Sequence, residues 1–431
     1  MKIEEFLILL ITIFISFIIF YRIKKINIAS SECIFLLFFF FYCTLGSLIL
    51  LLGLDKKRLN GIAVNDEYLL DIWIYCSISI IIIMSITSIF KRNLNEFPPP
   101  PINYNNTPSL TLVFFITIII SVVSITYIVS TNSPMYLLLK SGNVIDAFYA
   151  RQTENNDSGF FKEQHIKFLT NEIGFFWTVY LYCNVIFKKR FKLLFLVSFL
   201  VLSMTLASNL SKGGVIFLIS SLGIIYLYKN NKRLTFSWLL LGTILIISIA
   251  SLVQYYLLPN EGEFNFFTIS GAVLSRITTG QLAPSYYVLD FIHNSDYLYG
   301  TSLPNPKSIL PFTYFDLETK TWELMNTYRS ALGLTYKNPT VFWADGYANF
   351  GFLGVILYSI IIGFIFVIID TYFFRKKELE LSDLALLIYL SFHYARLSGK
   401  SLGPFLWDLN LIFVLLFYII LKKLTSNERY L

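Results

Sequence analysis

The stretch "YANFGFLGVILYSIIIGFIFVIID", Tyr347 to Asp370, carries no charge until its last residue. It is followed within about two turns by Arg375, Lys376 and Lys377. A hydrocarbon layer about 30 Å thick is crossed by about 20 apolar residues in helical form. Any other backbone conformation would leave N–H and C=O groups unsatisfied in lipid. The stretch therefore predicts a membrane-crossing helix, and its type of run decides the fold.

Working outward, similar apolar runs recur along the whole chain. They predict about eleven spans, near 4–21, 33–54, 69–90, 109–130, 166–187, 192–208, 214–228, 234–257, 347–370, 382–394 and 404–421. Only 14% of the 431 residues are charged, against about 25% in soluble domains. The expected fold is all-α: one polytopic integral membrane domain over residues 1–431. The N-terminus has no sizeable basic region and no small-residue cleavage site, so it reads as a retained first helix rather than a signal peptide.

The cations sort by membrane side, and the +7 charge therefore does not read as nucleic-acid binding. Eighteen of the 34 Lys and Arg fall in one set of loops: those at 22–25, 91–92, 188–192, 229–233, 375–377 and 422–429. The positive-inside rule places that set in the cytoplasm, with the N-terminus outside and the C-terminus inside. Lys56, Lys57 and Arg58 run against this locally, with Asp55, Asp66 and Glu67 nearby. The run Pro98–Pro101 on the cytoplasmic side reads as a stiff spacer.

Two long outer segments are expected, 131–165 and 258–346. A loop of the second one's length has a purpose in a compact protein. Trp322, Leu324, Tyr328 and Leu332 are apolar at helical spacing and predict a helix on the membrane surface. Pro304, Pro306, Pro311 and Pro339 divide the rest. Cys33, Cys43, Cys76 and Cys183 lie in or beside apolar spans and read as small buried hydrophobes. There is no Walker A motif, no dinucleotide fingerprint and no HExxH, and the three histidines are scattered. These absences argue against an ATP-driven pump.

A few outer charges need a reason. The 258–346 loop has five cations and eight anions, hence a net charge near −3. Arg276, in "AVLSRITTGQ", stands in apolar company there. Either it pairs with Glu261, Glu263 or Asp290 or snorkels to lipid phosphate, or it grips a phosphate or pyrophosphate in bidentate fashion. Lys212 lies in "SNLSKGG", where two glycines let backbone N–H groups approach an anion; a plain turn is the alternative. Arg151 and Arg329 are further outer cations. His393, Arg396 and Lys400 cluster at a short outer turn, facing a wet cavity or forming a polar hairpin. Asp345 could cap the ninth helix, and Gly351, Gly354 and Gly363 with Ala348 allow close helix packing. His293 is the one histidine of the large loop and a candidate base.

With "FYARQ" (148–152), "SNLSKGG" (208–214), "LSRITTGQ" (274–281) and "WADGYANFGFLGV" (343–355), the whole chain resembles the Wzy-type O-antigen (oligosaccharide repeat-unit) polymerases. Lys212 departs from the serine–arginine pair common in related enzymes. The resemblance implies a glycosyltransferase of the bacterial inner membrane. It would transfer a growing glycan from undecaprenyl pyrophosphate to a new lipid-linked unit, with no metal or cofactor. A chain-length regulator and a flippase are implied partners. Arg276 would meet the leaving pyrophosphate, helped by Arg329, Arg151, Lys212 and Arg396. His293 or Asp345 would take the acceptor proton. An O-antigen ligase and a lipid-linked oligosaccharide flippase are the rival readings.

Overall fold

A computed structural model of the protein describes residues 3–59, 64–91, 100–103, 108–130, 133–142, 169–208, 213–232, 266–305, 309–331, 333, 336–406 and 408–427, with isolated positions between 234 and 248. Among these residues six helices are long and apolar enough to cross a membrane: Glu5–Lys25, Ser31–Leu51, Asp66–Phe90, Leu110–Val129, Phe342–Phe374 and Gly403–Thr425. They fall on six of the eleven expected spans. Four other spans are occupied by helices of 15 to 17 residues, Gly174–Lys188, Lys192–Ala207, Gly213–Lys229 and Leu381–Ala395. At 1.5 Å per residue these reach about 22–26 Å. The expected span 234–257 lies largely outside the described residues. The apolar helices are those of a membrane-embedded, predominantly α-helical protein. A two-residue ladder is the exception: Ile102–Asn103 runs parallel to Leu379–Glu380.

The chain divides into two compact units. The first comprises Met1–Pro98, Ser270–Phe374 and His393–Trp407; the second comprises Pro99–Ile269, Arg375–Phe392 and Asp408–Leu431.

In the first unit the Asp66–Phe90 helix packs along the Phe342–Phe374 helix. Leu69, Ile72, Trp73, Cys76, Ile80 and Ile83 recur at helical spacing and are all buried. A Cβ on Gly363 would stand 3.1 Å from Ile86, so the two backbones approach closely there. At the end of this pair a charged network is sealed from solvent. Lys91 Nζ reaches Glu32 Oε2 at 3.1 Å and Asp370 Oδ2 at 2.5 Å. Arg22 Nε donates to Glu32 Oε1 at 2.8 Å, and the Thr87 hydroxyl donates to the same oxygen at 2.8 Å. The Ser30 and Ser31 hydroxyls donate to Asp370, each at 2.8 Å. The end of Ile3–Lys25, the start of Ser31–Phe39 and the ends of the two packed helices therefore share one side, as the expected alternation requires.

In the second unit Trp177 Nε1 donates to Thr117 Oγ1 at 3.0 Å, and Thr178 shares a 2.7 Å hydrogen bond with Ser198. Such bonds settle polar groups between apolar helices. The buried carboxylate of Asp383 accepts from Lys376 at 2.9 Å, from Lys422 at 3.2 Å and from the Tyr418 hydroxyl. Nearby, Asn103 Nδ2 donates to Glu378 at 2.7 Å and Leu379 N to Pro101 O at 2.9 Å. The end of the expected proline spacer is thus tied into a strand. All four cysteines are buried and free of disulfides.

Candidate functional site

The site is built around a break in the helix that the opening stretch predicts. Phe350 (φ −139°, ψ 18°) and Gly351 (φ 62°, ψ −147°) leave helical geometry inside Phe342–Phe374. Gly351 adopts a left-handed φ that costs an L side chain energy. The two helical pieces fold so tightly that a Cβ on Gly354 would lie 1.9 Å from Gly346 O. Of the predicted packing glycines, Gly363 meets the neighbouring helix, whereas Gly354 serves this internal bend.

Asn349 fills the corner of the bend. Its Nδ2 donates to Ser302 Oγ at 2.7 Å and to Asp345 O at 2.8 Å, and its Oδ1 accepts from Gly300 N at 2.9 Å. Leu298 N and Tyr299 N donate to the carbonyls of Ala348 and Asn349 at 2.9 and 3.1 Å. The loop after His293 is therefore stitched onto carbonyls that the broken helix leaves free.

Asp345 is 2% exposed. The Ser302 hydroxyl donates to its Oδ1 at 2.6 Å, and Asn349 Nδ2 lies 3.2 Å from the same oxygen. The N–H groups of Leu402 and Gly403 face the carboxylate. Close by, Ser401 Oγ donates to Glu318 at 2.7 Å. Asp345 does not cap its helix: its own N–H, like that of Ala344, already donates to Val341 O. Closed to solvent, it accepts from Ser302 and Asn349 through Oδ1, while its buried Oδ2 has no hydrogen-bond partner among the described residues. Through Oδ1 it fixes the 298–302 loop to the bend.

Arg276 is exposed in the last turn of Phe266–Ile277. The turn beneath it is fixed by residues distant in sequence. Ser275 Oγ donates to Asp55 Oδ2 at 2.5 Å, and the Thr279 hydroxyl donates to the same oxygen. Arg58 Nε donates to Ser275 Oγ at 2.7 Å. Arg58, which ran against the charge pattern of the sequence, is thereby used locally. Of the expected partners of Arg276, Glu261 and Glu263 lie outside the described residues, as do Arg151 and Lys212 among the expected cations.

Arg396 is half-buried and Lys400 exposed, at either end of a 3-10 turn. That turn rests on the π-helical stretch Phe40–Leu45, where Cys43 Sγ donates to Ser398 O at 3.2 Å. Gly399 faces Tyr42 and Gln281; a Cβ there would stand 3.2 Å from Gln281 Oε1. Gln281 lies in the first turn of the helix that follows Arg276, so the 396–400 turn packs beside the start of that helix. His393 is buried against the rings of Phe405 and Tyr394, at 5.0 and 5.2 Å.

Arg329 is exposed beside a shallow depression of about 290 Å³ lined by Met325, Asn326, Thr327 and Tyr328. The predicted surface helix is two pieces, Leu317–Met325 and Thr327–Ala331. The break at Asn326 turns the apolar spacing: Trp322 is buried while Tyr328 is 77% exposed. Lys337 Nζ braces this region from Asp316 Oδ2, at 2.8 Å. Burial works to raise the Asp316 carboxyl, but the Lys337 contact and the Thr319 N–H hold it below the ordinary range. Partial burial, with Asp316, Glu318 and Asp345 close by, pushes the Tyr314 phenol up to about 12.

His293 ends the helix Thr279–His293 and is exposed, its ring 5.4 Å from that of Tyr68. The structure separates it from Arg276. The intervening helix of 15 residues spans about 21 Å. The first unit thus has a cationic end and a histidine end along this helix. At the latter stands Asp71, half-buried and within electrostatic reach of His293 and Glu67. Asp71 stands inside the expected 69–90 span and is not among the residues singled out from the sequence. A carboxylate inside an apolar run was the available signal. Glu172 in the second unit, an acceptor for the Tyr389 hydroxyl at 2.7 Å, carried the same signal.

Comparison of the chain with protein-family models, with curated proteins and with solved structures finds no match.

Proposed function

We propose that the protein polymerises polyprenyl-pyrophosphate-linked oligosaccharide repeat units at the outer face of a bacterial inner membrane, in the synthesis of O-antigen or a related surface polysaccharide. One observation carries the reading. Gly399 of the Arg396–Lys400 turn packs beside Gln281, five residues beyond Arg276, within a membrane-embedded unit, which supports a reading of cations presented to an anionic lipid headgroup.

The chemistry follows from that headgroup. An acceptor hydroxyl oxygen attacks the anomeric carbon of the growing glycan, and its proton passes to an oxygen of the departing pyrophosphate. The bond from that carbon to phosphate oxygen breaks, and the lipid pyrophosphate leaves with the electron pair. Fixed cations stabilise the developing charge, at a few kcal/mol per contact in a water-poor site. Arg276 is the first choice for this contact, with Arg396 beside it; Arg329, Arg151 and Lys212 remain candidates. Asp345 holds the framework. The donor is already activated, so the scheme needs neither nucleotide nor metal.

Deleting the gene and separating the surface glycans by gel tests the reading. The expected product is core bearing one repeat unit. Core alone would instead favour a ligase or a flippase, and an unchanged ladder would overturn all three.

A further inference from the structure

We infer that Tyr297, Tyr347 and Tyr75, together with Asp71, form a saccharide-binding subsite at the histidine end of the first unit. The inference rests on the polymerase reading and adds where the glycan itself is held.

The four residues come from three places: the second and third turns of Asp66–Phe90, the first piece of Phe342–Phe374, and the loop at Tyr297. Their rings form a continuous ladder. Tyr75 stacks on Tyr347 at 5.2 Å and 30°. Tyr347 meets Tyr297 edge to face at 6.1 Å, and Tyr297 meets Tyr299 at 6.3 Å and 83°. The inner end is closed, with Tyr75 packed on Trp343 at 5.8 Å. The outer end is open: Tyr297 is 40% and Tyr299 71% exposed. The Tyr347 hydroxyl lies beside those of Tyr75 and Tyr297, and Asp71 lies close to both Tyr75 and Tyr347. A graded face of rings, edged with phenol hydroxyls and one carboxylate, matches the two sides of a sugar. The C–H face of a pyranose packs on a ring, and its hydroxyls donate to carboxylate and accept from phenol.

A second feature supports the fit. Gly351 makes room for Tyr297: a Cβ at that residue would lie 2.9 Å from the Tyr297 hydroxyl. The bend in the helix thus places this ring as well as Asp345. An interfacial aromatic belt anchors a protein with rings at headgroup level, but it needs no contiguous ladder with a half-buried carboxylate beside it. The distance is also suitable. The ladder is reached from the far end of Thr279–His293, about 21 Å from the cationic end, as an extended lipid-linked oligosaccharide requires.

The test uses the whole protein in detergent micelles and a free repeat-unit oligosaccharide. The sugar is released by mild acid from the surface polysaccharide of cells that make the protein. Saturation-transfer NMR is expected to show transfer to sugar ring protons from the wild type. Asp71→Asn and Tyr297→Ala should each weaken binding about tenfold, while Tyr297→Phe, which keeps the ring, should bind nearly as well. Tyr297 is exposed enough for its variants to fold, which monodisperse elution checks. No transfer from the wild type, or equal binding by Asp71→Asn and Tyr297→Ala, overturns the inference. An unchanged glycan ladder after gene deletion overturns the polymerase reading instead, so the two failures are distinguishable.

Discussion

Lys91 places its ammonium between the carboxylates of Glu32 and Asp370, at 3.1 and 2.5 Å, with all three side chains buried. One cation thereby ties together the end of one long helix, the start of a second and the end of a third. Removing one partner of such a network strands charge in a low dielectric and costs about 3–5 kcal/mol.

Lys91→Met is therefore expected to lower the thermal midpoint of the detergent-solubilised protein sharply. Adding Glu32→Gln and Asp370→Asn should recover part of the loss, because the carboxylates no longer need a counter-charge. A single variant as stable as the wild type would show that the network contributes nothing.

The helix bend depends on two glycine backbones in contact. Gly354→Ala forces a Cβ to within 1.9 Å of Gly346 O and is expected to abolish monodisperse protein. Gly223→Ala meets nothing within 4 Å and should leave expression unchanged or gain up to about 1 kcal/mol of helix stability. Equal expression of the two variants would contradict the bend.

Ser302→Ala removes the donor of the short hydrogen bond that holds the loop to the bend, whereas Asp345→Asn keeps an accepting oxygen but turns a donor NH2 toward the Leu402 and Gly403 N–H groups. Each is expected to cost about 1–3 kcal/mol through the buried group left unsatisfied. Asp345→Asn should be the more damaging, since Asp345 faces more donors. Thermal unfolding of the pair gives the order; a milder effect from Asp345→Asn would reverse the assignment of which side chain organises the corner.

Arg276→Ala is expected to abolish long-chain surface polysaccharide while the protein still inserts, with Arg276→Lys partly active because a point charge replaces the fork. Arg58→Ala loosens the turn beneath Arg276 and should shorten the glycan ladder less severely. Gel ladders from membranes with matched protein amounts decide this. Wild-type ladders from Arg276→Ala would remove the leaving-group contact.

Acid should loosen the Lys337 brace in a defined window. The Asp316 carboxyl is held below its ordinary value, so its contribution is present above the unfolded value of about 3.9 and is lost as pH falls through the folded one. Lys337 is 60% exposed, so the effect stays under about 1 kcal/mol. The difference in thermal midpoint between wild type and Asp316→Asn should narrow only below about pH 4; a difference already gone at pH 6 would contradict the sign.

The apolar spans were readable because lipid thickness and backbone satisfaction act on contiguous residues. The stretch Tyr347–Asp370 announces a membrane helix on those terms, and its cationic flank announces a side. The cysteines were readable for the same reason: an apolar neighbourhood in sequence is an apolar neighbourhood in space. The partial helicity of the 258–346 loop followed from spacing, although Asn326 divides the helix and turns Tyr328 outward.

The site followed different physics. Asp345 looked like a helix cap or a base until Ser302, Asn349 and the 402–403 backbone closed around it. Arg58 looked like a violation of the charge pattern until Ser275 accepted its hydrogen bond. Arg276 and His293, named for one reaction on their residue types, lie at opposite ends of a helix of 15 residues. Local chemistry along the chain sets where helices form and which faces are apolar. Which charges meet, and which are kept separate, depends on contacts between segments tens to hundreds of residues apart. Hydrogen bonds and Coulomb forces act over a few ångströms, so only the folded arrangement decides them.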